Sequence, residues 1–126
     1  MGKVFAAAIL SLFATGQAMA ASTCVVPYIR TLDNQTVDGS MTVKTGSRCF
    51  IWLNHSGGPI SSAHIVARPA HGSLNIDSTN RIVYQPRSGY TGSDSFTYAR
   101  KGLDTRNNPI TRTVRISVTV TSDNPR

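Results

Sequence analysis

Glutamate is missing altogether: the six acids of this 126-residue sequence are all aspartates, set against 13 lysines and arginines. Strong helix formers are scarce after the first twenty residues, whereas serine, threonine, valine and arginine are plentiful. No later stretch carries the 3.6-residue apolar stripe of a packed helix, so the composition points to a β-rich chain. A length of 126 residues accommodates one small domain, which excludes a nucleotide-binding domain joined to a substrate domain, or a large barrel. Chemistry-bearing patterns are equally thin. There is no G-x-S-x-G elbow, and His55, His64 and His71 lie nine and seven residues apart, not at the short spacings of zinc ligands. The aspartates at 33, 38, 77, 94, 104 and 123 are scattered, without the D-x-D runs that converge on calcium or the paired carboxylates of a glycosidase. These absences imply no metal and no cofactor.

After residue 20 no long hydrophobic run remains. Before it, Lys3 precedes an apolar run over 4–14, a short polar stretch over 15–17, and Ala18-Met19-Ala20. That order predicts a secretory signal peptide over 1–20, because the run falls short of the roughly 20 apolar residues of a permanent membrane span. Cleavage after Ala20 removes Lys3 and takes the net charge from +7 to +6. In an oxidising compartment the only two cysteines, Cys24 and Cys49, are expected to pair. The alternative, acylation of Cys24 as in a lipoprotein, sits badly with Ala21 and Thr23 at the positions that precede it.

Strict alternation is clearest at the end, where Val114, Ile116, Val118 and Val120 interleave with polar residues over 113–121. Further strand-like runs lie at 41–45, 49–54, 62–68, 73–76, 81–85 and 95–101, separated by Gly-, Pro-, Asn- and Asp-rich turns. About seven short strands without intervening helices predict an all-β antiparallel sandwich over 41–121, preceded by an N-terminal segment over 21–40 and followed by a flexible tail over 122–126. A closed barrel is the alternative architecture.

The stretch 67–99 resembles the bacterial immunoglobulin-like and cadherin-like modules of secreted and surface proteins. Pro69, His71, Gly72 and Leu74 match the first half of their pattern, and Ile82, Tyr84, Pro86, Gly89, Tyr90, Gly92, Asp94, Phe96 and Tyr98 the second. The resemblance covers roughly the last 60 residues and implies an immunoglobulin-like fold, with Tyr84, Gly89, Gly92, Asp94, Phe96 and Tyr98 as a structural corner. Glycines at 89 and 92 can take positive φ, and an aspartate there can accept backbone hydrogen bonds. The chain departs from the immunoglobulin arrangement in its cysteines, which are only 25 residues apart and so are expected to fasten the N-terminal segment to the strand holding Cys49.

Two surfaces offer themselves for binding. Arg100, Lys101, Arg106, Arg112 and Arg115 fall on one expected hairpin with Asp104 as its single acid; Arg68, Arg81 and Arg87 add charge nearby. Such a hairpin suits an envelope glycan or another anionic polymer, with nucleic acid disfavoured for an exported protein. In a regular strand Phe50 and Trp52 point away from Cys49, Ile51 and Leu53. Either that strand is covered on both faces, the reading favoured because a small sandwich needs its only tryptophan, or Trp52 belongs to an exposed pair that can stack on a sugar or a protein partner. The function expected is an exported, non-enzymatic binding or adhesion module of the periplasm or cell surface, with a polyanion-binding hairpin as the alternative and a small hydrolase as the remote one.

Overall fold

The computed structural model describes residues 23–53, 60–77 and 80–122. The expected signal segment, His55 and residues 123–126 of the expected tail lie outside them. Eight strands follow one another: β1 (Cys24–Val25), β2 (Thr36–Lys44), β3 (Cys49–Trp52), β4 (Ile60–Ala67), β5 (Gly72–Ile76), β6 (Arg81–Pro86), β7 (Gly92–Leu103) and β8 (Pro109–Thr121). They form a five-stranded sheet, β1-β2-β8-β7-β4, packed on a three-stranded sheet, β3-β6-β5. Two separate sheets make this a sandwich and not a closed barrel.

Period-two patterning puts one face of each strand inside. On β8, Ile110, Val114, Ile116, Val118 and Val120 are buried while Arg115, Ser117, Thr119 and Thr121 are exposed. A one-residue slip would exchange those sets, so the register is strongly specified. Beside them in the same sheet Phe96 and Tyr98 of β7, and from the facing sheet Tyr84 of β6, fill the middle of the core, with ring centroids 5.7 Å (Tyr84–Phe96) and 6.5 Å (Phe96–Tyr98) apart along the row. Full burial of a side chain of this size contributes roughly 2–3 kcal/mol.

Two details depart from the arrangement expected of the sequence. The pairing of β2 with β8 is parallel, in register from Thr36↔Thr113 to Lys44↔Thr121, while the other pairs are antiparallel. After β2 the chain crosses to the other sheet, so no hairpin fixes the relative direction of β2 and β8. In addition, β2 begins at Thr36 and not at 41, because Asp38-Gly39-Ser40 reads as a turn but runs as strand. Gly39 is there for close packing: a Cβ at this position would lie 2.9 Å from Ile116 Cδ1 and 3.1 Å from Ile29 Cγ1.

The sheet edges are treated differently. β4 ends the large sheet with register shifts at Ile60/Ser62 and Ile65/Ala67, irregularities that blunt an open edge. β3 ends the small sheet, and the segment after β1 runs beside it instead of pairing in the sheet.

Candidate functional site

The hairpin expected to carry the basic patch forms, but alternation splits its charges between two faces. Arg100 and Arg112 are directly opposite one another on β7 and β8. Arg100 is buried among the core residues. Arg112 is mostly covered and donates to Asp33 Oδ1 at 2.6 Å. Arg115 points outward and bonds Asp38 at 2.8 Å, in an ion pair exposed enough to contribute little. Lys101 is exposed on β7, and Arg106 lies exposed in the connecting loop. In that loop the Asn108 and Arg106 backbone N–H groups and the Asn108 amide donate to Asp104, holding its carboxyl below the usual carboxylate range. Of the nearby arginines, Arg68 donates to Leu74 O and Arg87 to Ala70 O. The five hairpin cations therefore do not form one surface.

The corner residues converge on Asp94. Its carboxylate accepts from Ala70 N (3.0 Å), His71 N (3.1 Å), Ser95 N (2.9 Å) and Tyr84 Oη (2.7 Å), fastening the approach to β5 onto the start of β7. Burial and the Asp94 hydrogen bond push the Tyr84 phenol far above its ordinary value. Gly89 and Gly92 have φ of 80° and 127°, which a side chain would strain. Between them Tyr90 turns back to stack on His71 at 4.2 Å. The Asp94 carboxylate and the Tyr84 hydroxyl are thus spent on shaping the corner, and among the described residues no group of three or more His, Cys, Asp or Glu side chains is placed to hold a metal ion.

The concave surface lies elsewhere. A groove of about 350 Å³ opens between the segment 26–31 and β3. Val26, Pro27, Tyr28, Ile29 and Thr31 form one wall, Phe50, Ile51, Trp52 and Leu53 the other, and Tyr98 and Arg100 of the opposite sheet lie beneath. The walls are fastened at both ends. At one end Cys24 and Cys49 form a disulfide with Cα atoms 5.2 Å apart, joining the segment to β3 as the cysteine spacing suggested. At the other end the Arg100 guanidinium donates to the O of Leu53, the residue just after β3, and, at 3.2 Å, to Thr31 Oγ1 on the segment. From 24 to 31 the extended reach is about 23 Å, whereas from 49 to 53 it is about 13 Å, so the longer arm must bow away from the shorter. Pro27 lacks the N–H needed to pair with the strand, and Val26 and Ile29 anchor the bowed arm on the core. The groove is the space left by this mismatch.

Its rim is unusually apolar. The described large hydrophobic residues that stay exposed are Val25, Tyr28, Leu32, Trp52, Val66 and Leu103, and the first four belong to this region, with Tyr28 80% and Trp52 49% exposed. Trp52 is thus not core, contrary to the doubly covered strand favoured by the sequence: β3 is an edge strand and no layer covers its outer face. Phe50 is half-buried because Arg81 lies over its ring, 4.2 Å from the centroid, and 5.2 Å from that of Trp52. Asp77 fixes this guanidinium at 2.7 Å. Such a cation over two rings holds the aromatic wall in one orientation. Burial pushes the Tyr98 phenol up to about 12, and it lowers Arg100, with the charge of Arg112 beside it acting in the same direction.

Among the described residues, the lining of this groove contains no histidine, serine, cysteine or carboxylate. Tyr28 and Thr31 were not legible as site residues; the only hint is an aromatic residue and a proline close after a cysteine that reaches forward to the strand before Trp52.

The two packed sheets, the parallel pairing of first and last long strands, and the Asp94 corner define an immunoglobulin-like sandwich. The profile of the bacterial Ig domain matches residues 25–121, and the chain belongs to that family. No curated protein matches the sequence.

Proposed function

We propose that this chain is an exported, non-enzymatic immunoglobulin-like module of the periplasm or cell surface that works by binding, and that its ligand enters the groove between 26–31 and β3. The observation that carries this reading is the groove clamped at both ends by the Cys24–Cys49 disulfide and the Arg100 fork. Walls held in place before a ligand arrives reduce the ordering cost of binding. Solvent-exposed Tyr and Trp are the residue types that dominate contact energies at recognition surfaces. Export is supported by the signal-like order of residues 1–20 and by a disulfide suited to an oxidising compartment.

Trp52 is the single tryptophan of the chain, so its fluorescence reports on the groove without labelling. Titration with solubilised envelope fractions is expected to shift or quench that emission, and Tyr28→Ala is expected to weaken the response. Capture of the fractions with no change at Trp52 would remove the groove from the proposal and return attention to Lys101 and Arg106. Secretion in a bacterial host is expected to yield a chain lacking residues 1–20, which intact mass reads directly.

A further inference from the structure

We infer that the outer face of the small sheet is a platform for a short neutral oligosaccharide, with a pyranose ring stacked on Trp52 and its hydroxyls met by Asn75 and Gln85. The platform shares Phe50 and Trp52 with the groove wall, but the inference goes beyond the groove reading and does not require the groove to be occupied. Three observations lead to this ligand class.

The first is the layout of the face. Alternation sends Ile51, Leu74, Ile82 and Tyr84 into the core and turns the intervening side chains outward. The antiparallel register then sets those outward residues in rows that run across the strands. Trp52 lies opposite Arg81, and Asp77, whose N–H donates to Arg81 O, closes that row. Phe50, Val83 and Asn75 form the second row, and Gln85 and Ser73 the third. Trp52, Asn75, Gln85 and Ser73 are exposed. One margin of the face is thus aromatic, and the rest of its exposed surface carries neutral amide and hydroxyl groups.

The second is charge. The Arg81 guanidinium lies over the Phe50 and Trp52 rings and is balanced within the face by Asp77 at 2.7 Å. Arg48, the residue before β3, is exposed at its border. A surface with its ion pair internally compensated complements a ligand without net charge. Side-chain amides offer both donors and acceptors, as the hydroxyls of a sugar do. An indole plane suits the apolar face of a pyranose ring, whose edges carry those hydroxyls.

The third is size. Two inter-strand gaps and four residues of strand give a face of about 10 Å by about 13 Å, or about 130 Å². A stable protein partner covers about 800 Å² on each side, so this face is far too small to dock another protein or a second copy of the chain. A short oligosaccharide spans it from Trp52 to Asn75.

The test is a ¹⁵N–¹H titration of the oxidised protein lacking residues 1–20 with cellotriose, maltotriose and triacetylchitotriose. It is read at the Trp52 indole and at the Asn75 and Gln85 side-chain amides. Trigalacturonic acid and a polyproline peptide serve as the anionic and peptide controls. The expected result is that at least one neutral trisaccharide shifts all three signals, binds more tightly than either control, and keeps its affinity as salt rises. Asn75→Ala and Gln85→Ala, at exposed positions, are each expected to weaken binding about three- to tenfold with an unchanged melting temperature, whereas Tyr28→Ala leaves binding unchanged. Binding weakened by Tyr28→Ala but not by Asn75→Ala or Gln85→Ala would overturn the platform and keep the groove. Tighter binding of trigalacturonic acid, affinity that falls steeply with salt, or a response to the peptide alone would overturn the neutral-sugar inference. If no neutral trisaccharide moves these signals the platform falls, while the groove reading is decided separately by the response of Trp52 to envelope fractions.

Discussion

Reducing the Cys24–Cys49 bond is the most informative perturbation, because the same bond closes a loop of the fold and fastens one end of the groove. The cysteines are separated by 25 residues. In the chain-entropy treatment, a closed loop of that size removes about 12 cal/mol/K from the unfolded ensemble, or about 3.5 kcal/mol at 25 °C. For a domain of roughly 100 residues, that corresponds to a fall in melting temperature of about 15 °C. Reduction is preferable to substitution, since Cys49 is fully buried and a serine there would add the cost of a buried hydroxyl. The sheet should survive, because β2, β8 and β7 are paired along their whole lengths without help from the bond. Scanning calorimetry with and without a non-thiol reductant measures the shift, and far-ultraviolet dichroism at 25 °C checks that the sandwich persists. In the reduced form the segment 26–31 keeps its anchors at Val26 and Ile29 but loses its covalent attachment to β3, so binding at the groove should weaken in parallel. A melting temperature that moves by only a degree or two would refute the reasoning on stability. A reduced protein that binds as tightly as the oxidised one would refute the clamp.

Other outcomes follow from the same structure. Asp94→Ala deletes the acceptor of four hydrogen bonds and strands the buried Tyr84 hydroxyl, which should cost about 3–4 kcal/mol in denaturant unfolding; a loss under about 1 kcal/mol would mean the corner is held by packing alone. Arg115→Ala, in an exposed pair with Asp38, should change stability by less than about 0.5 kcal/mol, and a larger effect in a thermal melt would contradict the assignment of that pair to the surface. Raising the pH should destabilise the fold from about 10 upward, because Tyr84 and Tyr98 keep their protons in the folded state to higher pH than in the unfolded chain. Their contribution is complete below pH 10 and is lost as pH rises towards about 12 and beyond, and absorbance of the phenolates should show them ionising together with unfolding.

The sequence by itself determined what depends on local pattern. Alternation of Val114, Ile116, Val118 and Val120 with polar neighbours dictated the longest strand and its buried face, and the spacing from Ile82 to Tyr98 dictated the corner, since glycines, a central aspartate and aromatic residues at alternate positions leave the backbone few choices. The scarcity of cysteine gave the disulfide, as two cysteines admit one intrachain pairing. Tertiary structure decided what depends on which strands become neighbours. Local pattern does not say that β2 would lie parallel to β8, that Gly39 would serve packing against Ile116 instead of a turn, or that β3 would end its sheet and leave Trp52 half exposed. It also grouped Arg100, Arg112 and Arg115 by their nearness in the chain, whereas the pleat sends Arg115 outward and Arg100 beneath the groove. The groove itself arises from two unequal chain lengths fastened at both ends, and the far fastening is made by a residue 69 positions from Thr31 along the chain. A contact at that separation is written in the packing of two sheets, so no window of sequence contains it.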